Sequence, residues 1–307
     1  MTAIRVASAP CSFGVDEVVV HDTWMPGPDE LLDWMATLGY EGTELGPPGF
    51  MGDGPTTGAR LAERGLTFIG AFLPQTLTDD ERCARDRAWM EGLLAEIRRG
   101  LPEGAAPFAV LSDAIDQPIR QRAAGRVASR PDAQLDGTGW QRLVDNLHRS
   151  AERAATLGFQ PVVHPHCGTY LETAGEIDRL VNSLDPSLIG LCLDTGHFRF
   201  GDAEPAASLR AYRALVRHVH VKDCATRVRD AVVARGEDVI AALANGVFCG
   251  LGAGDADIPA AVQALRDIGY TGWVVVEQDQ FLALSVTRDE VVDGQRANRE
   301  YLSRLGV

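Results

Sequence analysis

The sequence predicts an α/β protein folded as one (β/α)8 TIM barrel, a single domain over residues 1–307. Three observations predict it. Short apolar runs alternate with longer amphipathic ones eight times without a break, and strict strand–helix alternation makes the strands parallel. Five of the seven histidines fall between residues 164 and 220, in three short blocks that each read as the end of a strand. Polar groups at the tips of parallel strands converge when those strands close into a barrel. Finally, no Gly-x-Gly-x-x-Gly follows the first strand, so the competing open sheet of dinucleotide-binding type loses its support.

The elements follow in order. Residues 4–7 form the first strand, and a helix at 28–38 is closed by Gly39. The second strand is 41–45, followed by a helix at 57–64 and the third strand at 66–72. A long charged helix covers 78–99, and 108–111 is the fourth strand. The Arg-rich segment 116–136 is polar and weakly periodic, and reads as an excursion from the fourth strand, not a linker. A helix at 139–157 leads to the fifth strand at 161–164, then a helix at 173–184 and the sixth strand at 189–193. The helix 204–215 precedes the seventh strand, 218–221. After a long stretch from 224 to 258 comes a helix at 259–268, with Asp257 as its N-cap and Gly269 as its stop. The eighth strand is 272–276, and a last helix covers 289–305.

Composition narrows the function. The chain is 45% hydrophobic and 23% charged, ordinary for a globular protein, and its net charge is -14. That acidity argues against a nucleic-acid partner and favours a small ligand anchored by a cation. No window resembles a membrane span, and the start lacks the pattern of a secretory signal. Six scattered cysteines without a Cys-x-x-Cys pair point to a reducing cytoplasm.

Side chains alternate faces along a strand. In the seventh strand His218, His220 and Lys222 share the inward face, while Val219 and Val221 face the helices. The same alternation places His164, Asp194 and Glu277 near the ends of inward rows in the fifth, sixth and eighth strands. His164, Asp194, His220 and Glu277 therefore form a candidate mononuclear metal site of two imidazoles and two carboxylates. Such a set suits Mn²⁺, Co²⁺, Zn²⁺, Fe²⁺ or Mg²⁺. A lone buried histidine is more often a satisfied core residue than a ligand; four polar residues at four consecutive strand tips tip the balance towards a site. His166, His197 and Lys222 are candidates for proton transfer or leaving-group protonation, and Glu44 for gripping substrate hydroxyls. Lys222 could instead pair with Asp194 or Glu277, and Glu44 could only buttress the mouth. His218, deeper in the barrel, reads as structural; His21, His148, Cys167 and Cys224 receive no role. The glycine-rich run 250–254 reads as a flexible loop, since no Lys-Ser/Thr follows it.

Leu193-Asp194-Thr195-Gly196-His197, together with His218-Val219-His220-Val221-Lys222-Asp223, resembles the xylose isomerase-like TIM barrels. That superfamily holds sugar isomerases, epimerases and the endonuclease IV group. The resemblance implies metal binding by Asp194, His220 and Glu277. Its usual fourth ligand is a glutamate ending the fifth strand; here that position carries His164, with Glu172 as the alternative. The chain is more closely similar to the inosose (2-keto-myo-inositol) dehydratases, in residues 39–47, in His164-Pro165-His166-Cys167-Gly168-Thr169-Tyr170-Leu171-Glu172-Thr173 and around Asp194. The segments 116–136 and 224–250 have no counterpart in that pattern.

The resemblance implies an enzyme: a cytoplasmic, metal-dependent hydro-lyase of inositol catabolism that dehydrates a keto-polyol through an enolate. An isomerase or epimerase on the same scaffold, or a C-glycoside-cleaving enzyme of the superfamily, uses the same enolate logic. An endonuclease is disfavoured, because no histidine stands in the region Phe248-Cys249-Gly250-Leu251-Gly252. The expected partners are a small-molecule polyol or keto-sugar, no nucleic acid and no membrane; a homo-oligomer is an open option.

Overall fold

The computed structural model describes residues 4–16, 24–280 and 286–307. Eight parallel strands close into a barrel: β1 (Arg5–Ser8), β2 (Gly42–Glu44), β3 (Thr67–Gln75), β4 (Phe108–Asp113), β5 (Gln160–Val163), β6 (Gly190–Asp194), β7 (Val216–Val221) and β10 (Trp273–Val276). Neighbours in this order are hydrogen-bonded, and β10 closes on β1 with Arg5 opposite Trp273 and Ser8 opposite Val276. The predicted barrel is borne out.

The outer ring is α1 (Pro28–Thr37), α2 (Gly54–Glu63), α3 (Asp80–Arg98), α5 (Gly137–Thr156), α6 (Ala174–Val181), α8 (Pro205–Ala211), α11 (Ile258–Asp267) and α12 (Arg288–Arg304). Caps start several of these helices. The Asp53, Asp79, Asp136 and Asp257 side chains each accept a backbone N–H of the first turn, and Thr173 with Glu176 forms a capping box. The strand faces that point away from the barrel axis bury Val6, Ala109, Leu111, Val163, Leu191, Leu193, Val219, Val221, Val274 and Val276 in one continuous core with the helices. Their hydrophobic burial leaves the inward rows to carry polar groups up to the mouth.

The structure departs from the sequence reading in three places. The helix expected at 204–215 is shorter, and a separate one-and-a-half-turn helix α7 (Thr195–Phe200) precedes it, capped by Asp194. The stretches 116–136 and 224–258 are not plain loops. The first carries α4 (Pro118–Ala123) and two 3-10 turns. The second carries α9 (Thr226–Ala234), α10 (Val239–Ala244) and a small antiparallel ladder of β8 (Asp223–Cys224) with β9 (Phe248–Cys249).

The run 250–254 is pinned. The Asp223 carboxylate accepts from the backbone N–H of Cys224, Gly252, Gly254 and Ala256. A Cβ at Gly254 would lie 2.4 Å from Asp223 Oδ1, so the glycine is needed for the loop to wrap its anion. Sequence expected a loop there and missed its internal carboxylate.

Candidate active site

The four predicted ligands meet. One ligand atom from each of His164, Asp194, His220 and Glu277 lies within 4.8 Å of the others, and all four residues are buried. Backbone registry explains the meeting. Asp194 pairs with His220 across β6 and β7, Val275 pairs with His220 across β10 and β7, and Glu277 follows one turn of the pleat later. His164 continues the β5 ladder, with its N–H donating to Leu111.

Asp194 divides its two oxygens. Oδ1 accepts from Gly196 and His197 N–H at the start of α7, at 2.7 and 2.9 Å. Oδ2 is buried and has no hydrogen-bond partner among the described residues. Three donors surround it without the alignment of a hydrogen bond: Lys222 Nζ at 3.4 Å, His164 Nε2 at 3.6 Å and His220 Nδ1 at 3.8 Å. His220 Nδ1 is also orphaned, though it lies 3.1 Å from Glu277 Oε2. Orphaned buried acceptors are costly, and a divalent cation between imidazole and carboxylate removes that cost. The donor set therefore fits a metal. His164 Nδ1 and, deeper in the barrel, His218 Nδ1 are likewise buried without a hydrogen-bond partner among the described residues.

Beneath the cluster, Glu44 Oε1 accepts from His218 Nε2 at 2.7 Å and from His220 Nε2 at 3.1 Å. This bond uses one nitrogen of His220 and leaves Nδ1 for the site, the arrangement by which a carboxylate orients a metal-binding imidazole. His218 stacks on Phe108, with ring centroids 4.3 Å apart, in keeping with its structural reading. Glu44 thus lies on the floor of the cavity and braces histidines; it also lines the cavity. Burial works against ionising Glu44, but the charges and bonds of His220 and His218 outweigh it and hold the carboxyl far below its ordinary range. Burial likewise opposes the charge on His220, and the Cys192 sulfur, Glu277 and Glu44 overcome it and raise its pKa well above normal.

Lys222 is fully buried among acids. Its Nζ lies 3.1 Å from Glu277 Oε2 and 3.1 Å from both oxygens of Asp279. Burial disfavours the ammonium, and Asp194, Asp279 and Glu277 outweigh that and raise its pKa well above normal. Lys222 Nζ is also 3.1 Å from His197 Nε2, while Cys167 N–H donates to His197 Nδ1 at 3.3 Å. A neutral imidazole accepts at one nitrogen only, so these two donors compete for it.

His166 stands beside His197, with ring centroids 3.7 Å apart. Its Nδ1–H donates to the Cys167 carbonyl at 2.9 Å, which leaves Nε2 as its basic nitrogen. Burial, then the neighbouring His164 and Lys222 charges, push its pKa down to about 3. Burial and His166 push that of His197 well below normal. Both rings are neutral at physiological pH.

Glu172, the alternative fifth-strand ligand, turns away from the cluster. Its oxygens accept from Gly125 and Gly168 N–H at 2.8 and 2.6 Å, and it borders a separate cavity of about 500 Å³. His148 accepts from Asp185 N–H near the surface, and His21 lies outside the described residues. Cys167 and Cys224 pack in an apolar cluster with Phe248. The sequence reading assigned no role to Asp279, although it shares an inward row with Glu277 by alternation.

All the candidate groups except Asp194 open on one cavity of about 160 Å³, bordered by Cys11, Asp16, Glu44, Phe72, Ile115, His164, His166, His197, His220, Lys222, Leu243, Glu277 and Asp279. Residues 32–301 match the model of the xylose isomerase-like TIM barrel family. The chain is 30% identical over 309 residues to an inosose dehydratase of Geobacillus kaustophilus, covering 98% of this chain and 94% of the relative. It is 28% identical over 260 residues to the inosose dehydratase of Lacticaseibacillus casei, covering 82% of each. Among solved structures, an IolI protein with a bound zinc atom shares the fold with a TM-score of 0.70 at 15% identity, over 98% of this chain and 99% of that one. The resemblance read from the histidine blocks is thereby borne out, and the chain belongs to the xylose isomerase-like TIM barrel family.

Proposed function

We propose that the protein is a metal-dependent hydro-lyase that removes water from a keto-polyol such as 2-keto-myo-inositol. One observation carries the reading: a buried two-imidazole, two-carboxylate cluster with orphaned ligand atoms stands beside two neutral histidines at a small cavity. The full-length similarity to inosose dehydratases supports the choice of substrate.

His164, Asp194, His220 and Glu277 would hold the cation; the mixed nitrogen and oxygen set suits Mn²⁺, Co²⁺, Zn²⁺, Fe²⁺ or Mg²⁺. A divalent ion there supplies Lewis acidity, which polarises the ketone and acidifies the C–H beside it. The chain does the rest. Glu44 fixes His220 from below. His166 Nε2, neutral and facing the cavity, takes the proton from the carbon next to the ketone. The electron pair released forms the carbon–carbon double bond as the β-hydroxyl leaves, and the Lys222 ammonium, the protonated member of the Lys222–His197 pair, gives that hydroxyl the proton it needs to depart as water. Asp279 holds the Lys222 ammonium towards the cavity. No redox partner is needed. Among the described residues no helix is long and apolar enough to cross a membrane, and all six cysteines are free. The free cysteines accord with a reducing cytoplasm.

The test is Mn²⁺- or Co²⁺-loaded protein given 2-keto-myo-inositol, with the ultraviolet absorbance of the dione product followed over time. Growth of absorbance that depends on metal and vanishes in His220→Ala is expected. Silence from folded, metal-loaded protein would overturn the dehydratase reading in favour of an isomerase or epimerase.

A further inference from the structure

The segments 116–136 and 224–250 build one structure. Arg126 donates to the Val233 and Glu237 carbonyls at 3.0 and 3.3 Å, which ties the turn after α4 to α9 and its exit. Gly125 abuts Arg229 and Val233, and Val239 of α10 lies against Gly168 in the loop that follows His164 and His166. Beneath these contacts Ala124, Cys167, Phe200, Cys224, Val232, Val239, Ala242, Leu243, Val247 and Phe248 form a second apolar cluster, separate from the barrel core, against which Ile115 packs. The result is a cap over the mouth between the loops that follow β4 and β7.

Two side chains of this cap border the active-site cavity: Ile115 and Leu243. They make an apolar flank, and Phe72 of β3 lines the same cavity with its ring centroid 5.9 Å from that of His164 and 6.1 Å from that of His166. The lining also carries three of the four candidate ligands, His164, His220 and Glu277, with Lys222 and the acids Asp16, Glu44 and Asp279. Lys222 is the one lysine or arginine among the described lining residues, and carboxylates surround it. A phosphate would meet acids there. A cyclic polyol has a polar rim of hydroxyls and a flat face of C–H bonds, so it can meet both kinds of lining at once. An open chain would have to freeze several rotors to present such a face.

We propose that Leu243 and Ile115 of the cap, with Phe72, form the wall that selects an unphosphorylated cyclic keto-polyol over an open-chain one. This rests on the keto-polyol reading above. Each apolar contact of this kind is worth about tenfold in discrimination.

The experiment titrates Mn²⁺-loaded protein with two unreactive probes, myo-inositol and D-glucitol, and compares wild type with Leu243→Ser, Ile115→Ser and the conservative Leu243→Met. Bound Mn²⁺ and the melting temperature are measured for each. Wild type is expected to prefer the ring by about tenfold or more, Leu243→Met to keep that preference, and the serine variants to lose most of it while holding their metal. Serine variants that are folded, metal-loaded and still prefer the ring as wild type does would overturn the wall. So would a wild type that binds both probes equally. Wild type that holds Mn²⁺ and binds neither probe would overturn the keto-polyol reading, and the wall with it; the metal measurement separates that outcome from the first.

Discussion

The mouth of the barrel holds two tiers of histidine, and they are treated oppositely. In the lower tier, His218 and His220 give their Nε2 atoms to the Glu44 carboxylate, and His220 turns Nδ1 towards Asp194 and Glu277. In the upper tier, His166 bonds a backbone carbonyl and His197 meets a backbone N–H and Lys222; neither has a carboxylate partner. Burial is common to both tiers. The carboxylates decide the outcome: His220 is held towards the charged form, while His166 falls to about 3 and His197 well below normal. Placement relative to acids thus sets His220, whose Nδ1 must give up its proton to a cation bound between the carboxylates, apart from His166, which is free to take one.

This contrast can be broken at four points, in falling order of effect. His220→Ala removes a ligand and strands Glu44 in the floor; kcat/KM should fall by at least ~10³-fold and bound metal should be lost, as steady-state kinetics and metal analysis would show. His166→Gln acts on the other tier alone. Its kcat should drop by about 10²–10⁴-fold at unchanged metal content, the signature of a lost proton acceptor. Glu44→Gln leaves every ligand in place and removes only the brace, so metal affinity, measured by competition with a chelator, should weaken by about 10–100-fold.

The smallest effect concerns two buried acids that hold the loop between the tiers. Asp113 accepts from Leu77 and Tyr170 N–H, and Glu172 from Gly125 and Gly168 N–H. Burial, only partly offset by these bonds, pushes both carboxyls up to about 7. The native chain then keeps protons that the unfolded chain has released above about pH 4. Stability should therefore fall as pH rises from about 4 through 7, by of order 1 kcal/mol per group. Urea midpoints across that range should show the slope, and Asp113→Asn should flatten it.

Much of this was legible in the sequence. Period-two alternation placed His164, Asp194, His220 and Glu277 on inward rows, and strand–helix alternation put the row ends at one mouth; the structure brings them together. Asp279 was legible by the same alternation, two residues beyond Glu277, yet its hold on Lys222 depends on the path of the chain after β10. Glu44 was visible as a strand-tip acid, but its contact with His218 and His220 reaches across the barrel, and the shear that sets such contacts leaves no local pattern. The cap was illegible for another reason. Its helices α4, α9 and α10 run to nine residues or fewer, too short to show an amphipathic period, and their stability comes from packing on each other.

The central claim is that four strand tips, with histidine in the fifth-strand place, hold one divalent ion. Calorimetric titration of the apoprotein with Mn²⁺ tests it most directly, in wild type, His164→Ala and Glu172→Gln. One ion per chain in wild type and in Glu172→Gln, with binding weakened at least ~10²-fold in His164→Ala, is the predicted result. Undiminished binding by His164→Ala, with loss in Glu172→Gln, would contradict it.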